Sequence, residues 1–249
     1  MRQRYDSIYL SPHLDDAALS CGGQIYEQSR SGKSVLVVTL FAGDPPPGLT
    51  STLVSDLHRR WGLGKDAAAI RRDEDRKAAE VLGFEPVHFE FADCIYRHEP
   101  MTLASLYPTV KSIFGEIKLA EADLVAELAG RLAGLAGADR IHAPLAVGHH
   151  VDHQLVRLAA ERQFGSRLSY YEDYPYVARF FKLTRALARP WSWRCDTVAL
   201  SDEALRARVE AIACYASQLG PVYADRDDLE KQVRAYARKV GGERLWVRR

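Results

Sequence analysis

Short β-branched runs alternate with amphipathic stretches through the first two thirds of the chain. Ser7-Ile8-Tyr9-Leu10 and residues 34–43 (SVLVVTLFAG) are apolar without alternation and stop at turn residues. That pattern suits strands buried on both faces of a parallel sheet. Between them, residues 15–32 set Ala18, Leu19, Ile25 and Tyr26 at helical spacing and end on Ser31-Gly32, a glycine stop. Residues 66–84 predict a second amphipathic helix, with Ala69-Ile70, Ala78 and Val81-Leu82 recurring at helical spacing. PVHFEF (86–91) alternates as a strand should. Beyond it the pattern predicts a helix over 126–137, a strand over 140–146, a helix over 153–164 and a strand over 168–176. The last third is less regular, with helices near 202–217 and 226–240. The proline-containing stretch 43–65 has the length of a functional or mobile loop.

No repeat, low-complexity tract or linker divides the chain, so residues 1–249 are expected to form a single domain. Strands alternating with helices predict an α/β fold: a Rossmann-like, doubly wound, mostly parallel sheet flanked by helices. In such sheets the active site lies at the C-terminal ends of the strands.

Lys plus Arg number 34 and Asp plus Glu 33, a net charge of +1. That balance gives no basis for binding nucleic acid or an anionic membrane. No membrane span is expected, because no apolar stretch approaches the required length. The first residues lack the apolar core of a signal peptide. Four cysteines without a C-x-x-C pair, Cys21, Cys94, Cys195 and Cys214, fit core thiols in a reducing compartment. The expected location is cytoplasmic.

The chemistry gathers in two places. The first predicted strand runs into Ser11-Pro12-His13-Leu14-Asp15-Asp16, at the end where an open α/β sheet keeps its site. Four of the eight histidines then fall within a short second stretch, His142, His149, His150 and His153, with Asp152 among them. A mixed imidazole–carboxylate set suits a divalent ion such as zinc, which takes both donors at about 2.0–2.2 Å. His13, one of the two aspartates and one histidine of the second cluster would supply three ligands and leave a position for water. No cysteine is expected beside either cluster, which argues against a closed thiolate site. Adjacent carboxylates point in different directions, so one can bind the ion while the other takes a proton from water. A histidine nearby can stabilise an oxyanion or protonate the leaving group, and Asp152 can orient an imidazole. The plainer readings are a helix N-cap for the aspartates and a buried, hydrogen-bonded side chain for His142.

These residues resemble a known family. SPHLDDAALSCGG is similar to the A-H-P-D-D-E-x-x-x-x-x-G motif of the PIG-L/LmbE-like zinc-dependent N-acetylglucosaminyl deacetylases, and GHHVDHQLV to that family's H-x-D-H motif. Weaker echoes run along the chain: TLFAGDPPPG, IRRDEDRKAAEVLGF, FADCIYR, YASQ and GGERLWV. The resemblance implies Zn2+, or another divalent metal, held by His13, Asp16 and His153. It implies Asp15 as general base, His150 as the group that stabilises the intermediate or protonates the amine, and Asp152 as its orienting partner. Arg71 or Arg72 and Asp93 match positions that line the sugar pocket. The implied activity is hydrolysis of an N-acyl, chiefly N-acetyl, group from a small-molecule amino-sugar conjugate, by a monomer or a homo-oligomer.

Two departures stand out. Leu14 replaces a proline that shapes the turn, and Ala17 a glutamate. Three other functions compete: a catalytically silent metal-binding scaffold of the same fold, a magnesium-dependent phosphoryl-transfer receiver-like domain, and dinucleotide binding. The second would need Asp44 as phosphate acceptor and oxygen ligands in place of the histidines. The third lacks the G-x-G-x-x-G spacing.

Overall fold

The computed structural model describes residues 4–48, 50–64, 66–135, 137–178, 182–220 and 222–249. The strands are β1 (Arg4–Ser11), β2 (Val35–Thr39), β3 (Glu85–His88), β4 (Gly137–Pro144), β5 (Leu168–Tyr171), β6 (Trp193–Val198) and β7 (Glu243–Arg248). They form one sheet in the order β3-β2-β1-β4-β5-β7-β6. The first five pair in parallel, and β7 pairs antiparallel with both β5 and β6. The expected mostly parallel sheet is present; the antiparallel end, built from the irregular last third, was not anticipated.

Side chains alternate across the strands. Ile8, Leu10, Leu36, Val38 and Ile141 face one core, packed with Leu128 and Leu132 of α5 (Leu124–Ala133) and Leu155 and Val156 of α6 (Val151–Phe164). Tyr9, Val35 and Val37 face the other, packed with Ala18, Cys21 and Ile25 of α1 (Asp16–Arg30), Ala78 and Leu82 of α3 (Ala67–Leu82), and Ala211 of α8 (Asp202–Ala213). Burial on both faces explains why β1 and β2 lack a polar alternation. The predicted helix over 202–217 divides at Tyr215, which separates α8 from the short α9 (Ala216–Leu219). The short helices α4 (Val110–Ile113) and α7 (Lys182–Leu187) lie earlier in the chain, and α10 (Arg226–Val240) follows α9.

The stretch 43–65 contains a helix, α2 (Thr52–Trp61). Ser51 caps it by accepting the Val54 N–H, and Gly62 ends it at φ 66°. Leu53 and Val54 bury their side chains beside Cys94, Ile95 and Tyr96, which anchors α2 over the sheet.

Strand order places the site. From β1 the chain winds outward to β2 and β3, while β4 and β5 lie on the other side of β1. The connections leaving β1 and β4 therefore diverge, and a crevice opens beyond their carboxyl ends. Residues 13–16 follow β1 and residues 149–153 follow β4, so both clusters face the same crevice.

Candidate metal centre and active site

The turn after β1 is tied by side chains. Ser11 Oγ donates to the His13 carbonyl at 2.5 Å and accepts the Ala17 N–H at 3.1 Å. The His13 N–H donates to Asp16 Oδ2 at 2.9 Å. Leu14, in the place of the expected proline, is buried in the core under α1. Hydrogen bonds and an apolar anchor thus hold His13 where the ring of a proline would have. Asp15 occupies the N-cap position of α1 but makes no side-chain cap bond, so the plain capping role is not the one it fills.

After β4 the backbone turns sharply, with positive φ at Ala146, Gly148 and His149. A Cβ at Gly148 would stand 2.9 Å from the Tyr176 ring, so glycine is required there. His149 turns away from the crevice, its Nδ1 2.9 Å from the Gly115 carbonyl. His150 caps α6, its Nδ1 accepting the Asp152 N–H at 3.3 Å. With Nδ1 used as an acceptor, the ring proton sits on Nε2. His142 is buried as expected, but only half satisfied: Nδ1 lies 2.7 Å from Ser169 Oγ while Nε2 has no hydrogen-bond partner.

The two clusters meet. The rings of His13, His150 and His153 have centroids 4.9–5.5 Å apart, and one nitrogen from each lies within 4.8 Å of the others. Asp16 Oδ2 stands 3.1 Å from His13 Nδ1 and 3.2 Å from His153 Nε2. His153 Nδ1 donates to Asp173 Oδ1 at 2.6 Å, which fixes the ring and directs Nε2 toward Asp16. That Nε2 is buried with no hydrogen-bond partner. A buried imidazole with one nitrogen pinned by a carboxylate and the other turned toward a second carboxylate without a formed hydrogen bond is an arrangement that suits a metal ligand. The donor set of His13, Asp16 and His153 fits a divalent cation.

Electrostatics agree. Asp15, Asp16, Asp93, Asp152 and Asp173 surround the rings, against the guanidiniums of Arg71 and Arg97. Burial disfavours a charged His13, yet Asp93, Asp152 and Asp16 outweigh it and hold its pKa well above the usual value. His153 is raised to about 10 against burial, by Asp16 and then Asp173. This is an environment that seeks positive charge. His150 is opposite in kind: burial first, then the charge of His13, push it well below its usual value. It stays neutral. Burial and the adjacent Asp16 charge raise the Asp15 carboxyl, with Arg71 opposing, which moves it toward the range of a working base.

The pocket above these groups has a volume of about 240 Å³. His13, Asp15, Asp16 and His150 form its polar floor, and Leu57, Trp61, Ile95, Ile113, Pro175 and Tyr176 supply apolar wall. Arg71 lines it, 3.5 Å from Asp15 Oδ1 and with its guanidinium 5.1 Å from the centre of the Trp61 ring. Asp93 also lines it, one oxygen accepting the Ile95 N–H and the other 3.7 Å from His13 Nε2. Arg72 is not among the lining residues; it donates to the Ala42 carbonyl and to Asp44. Asp44 is exposed and does not line the pocket that holds the carboxylates.

Comparison with known proteins follows the same lines. The family model described as PIG-L, GlcNAc-PI de-N-acetylase, matches residues 8–164, more than half of the chain. The chain belongs to the PIG-L family. Its relatives include a 2'-N-acetylparomamine deacetylase of Streptomyces fradiae, 30% identical over 184 residues, which are 71% of this chain and 60% of that protein. A second protein of the same name from Niallia circulans is 25% identical over 185 residues, 68% of this chain and 66% of that protein. The chain thus spans less than two thirds of the length of either. The zinc-inhibited form of a teicoplanin deacetylase superposes with a TM-score of 0.83 at 29% identity, covering 99% of this chain and 98% of that one.

Within this PIG-L chain, three residues serve the site without having been singled out. Asp173 pins His153 and also accepts the Val147 N–H at 2.7 Å. It lies in the YYEDYPY stretch, where the aromatics draw the eye. Arg97 donates to Asp152 Oδ1 at 2.6 Å, and Asp152 Oδ2 in turn faces His13 Nε2 at 2.9 Å. The carboxylate of Asp152 therefore meets His13, while only its backbone N–H meets His150. Cys94, remote in sequence, comes within 4.0 Å of His150 Nε2. Burial, then Asp152 and Asp93, push its thiol well above the usual value, so a sulfur does adjoin the site but as a thiol.

Proposed function

We propose that the chain is a zinc-dependent N-deacetylase, a hydrolase that removes an acyl group, chiefly acetyl, from the nitrogen of an amino-sugar conjugate. One observation carries this reading: Asp15, free of any cap bond, lines the same pocket floor as His13, Asp16 and His150, and the ring of His153 adjoins those of His13 and His150. The imidazole–carboxylate donor set favours zinc among common divalent ions. The deacetylase names of the relatives support the reaction class.

His13, Asp16 and His153 would hold the ion, which supplies Lewis acidity to the acyl carbonyl and to the attacking water. Asp15 takes a proton from that water as its oxygen bonds to the acyl carbon. His150, neutral and protonated at Nε2, donates a hydrogen bond to the acyl oxygen as negative charge grows there. Because its Nδ1 faces a backbone N–H, His150 resists becoming an imidazolium, so Asp15 returns the proton to the nitrogen as the C–N bond breaks. The products are a carboxylate and a free amine. Arg71 and Asp93 orient sugar hydroxyls, and Trp61 with its apolar neighbours receives the rest of the conjugate. A cytoplasmic location belongs to the same reading, since the four cysteines are free thiols and no helix among the described residues is long and apolar enough to cross a membrane.

The test is amine release from a panel of N-acetylglucosaminyl conjugates by native, metal-stripped and zinc-reloaded protein. Release that is lost on stripping and restored by zinc is expected. Protein that binds zinc but releases no amine from any conjugate would be a silent scaffold.

A further inference from the structure

A buried ion pair outside the pocket enters the hydrogen-bond ladder of α1, the helix that begins with Asp16. Arg208 of α8 and Glu243 of β7 are both almost wholly buried, with Arg208 Nη1 3.3 Å from Glu243 Oε1. Arg208 Nη2 donates to the Leu19 carbonyl. Glu243 accepts the N–H groups of Gly23 and Gln24, one on each oxygen, both at 2.9 Å. In an uninterrupted α-helix the Gly23 amide serves the Leu19 carbonyl. The guanidinium and the carboxylate therefore attach to the two ends of one rung of a continuous helix and fix where that turn sits against α8 and β7.

The sequence makes room for them. A Cβ on Gly23 would stand 2.5 Å from Leu200 Cδ1 and 3.0 Å from Glu243 Oε1, and one on Gly22 would stand 3.0 Å from Arg208 Cγ. Arg208 also lies over the Tyr174 ring, 5.1 Å from its centre. The Tyr174 N–H donates to Ser20 Oγ, and Tyr174 follows Asp173 directly. One device thus touches the helix bearing the aspartates and the segment that pins His153. Compared with apolar side chains of similar volume, a buried ion pair adds little net stability, so stability alone does not account for it.

We propose that Arg208 and Glu243 are positioning residues, which by gripping α1 at Leu19, Gly23 and Gln24 set where its first turn delivers Asp15 and Asp16. The role assigned to Asp16 rests on the metal-ligand reading above. Glu243→Gln keeps the shape of the side chain and removes the charge facing Arg208. Arg208→Met removes the donor. For each full-length variant, zinc affinity would be measured by competition with a chromophoric chelator, kcat and KM by amine release, and folding by circular dichroism and melting temperature. A folded variant with zinc affinity lowered about tenfold or more is expected, with kcat lowered and KM little changed. A variant that melts earlier yet binds zinc and turns over as the unaltered chain does would overturn the proposal. If either single change prevents folding, Arg208→Met combined with Glu243→Gln leaves no unpaired buried charge and takes over the comparison. Should the unaltered chain bind zinc and release no amine, the deacetylase reading fails, while the affinity comparison still decides this one.

Discussion

Asp173 accepts the Nδ1 proton of His153 across 2.6 Å, with both side chains buried. The bond holds the ring in one tautomer and raises the basicity of Nε2, the atom that faces Asp16. Asp173→Asn keeps the volume but weakens the acceptor. Metal affinity is expected to drop about 10–100-fold, read by chelator competition. Unchanged affinity would remove Asp173 from the metal assembly.

In the proposed reaction Asp15 moves the proton, and the proposed ligand set does not include it. Asp15→Asn should retain the metal, measured as bound ion per chain, while amine release slows by about 10²–10⁴-fold. Near-normal turnover would take the base role away from Asp15, and metal loss would make it a ligand instead.

Adjacent arginines on α3 should behave differently. Arg71 lines the pocket over Trp61, whereas Arg72 braces the Ala42 carbonyl and Asp44. Arg71→Ala is expected to raise KM or lower kcat/KM about tenfold, a loss of about 1.4 kcal/mol. Arg72→Ala should leave KM unchanged and lower the melting temperature. Matching kinetic losses in both would show that Arg72 also reaches substrate.

His142 makes a pH-dependent contribution to stability. Its ring stacks on Tyr9 at 4.3 Å, and burial, with the Arg140 charge adding, depresses its pKa to about 3. Unfolded, the same side chain takes up a proton near pH 6.5 that the native state refuses, so the contribution is full above that value and declines as pH falls toward 3. At pH 5 the decline amounts to about 2 kcal/mol. Urea unfolding at pH 7.5 and pH 5 should show His142→Gln losing about that much less stability over the interval than the unaltered chain. Equal losses would mean that His142 titrates in the folded protein.

What the sequence disclosed follows from what is local. His13, Asp15 and Asp16 sit at the end of one apolar run, and His150, Asp152 and His153 at the start of a helix after another; strand order then brings the two ends together. The helix α2 was not read, although the Ser51 cap, the Gly62 stop and Leu53, Leu57 and Trp61 at i, i+4 and i+8 signal it, because Pro45, Pro46 and Pro47 just ahead of it made the whole stretch resemble a loop. Asp173 and Arg97 gain their roles only through partners 20 and 55 residues away, and no spacing rule reaches that far. The strands β6 and β7 stayed hidden because both are only partly buried and carry charged residues, Arg194 and Asp196 in one and Glu243, Arg244 and Arg248 in the other.

The position of β7 has one further consequence. It follows β6 in the chain yet lies between β6 and β5, so β6 reaches the other five strands only through it. A proteolytic nick ahead of Glu243, with release of the fragment, would detach both strands from the sheet. The edge of β5 that β7 covers at Tyr170 and Tyr171 would then be bare, ready to recruit a strand from a neighbouring molecule. Damage at this margin would therefore be expected to surface first as aggregation.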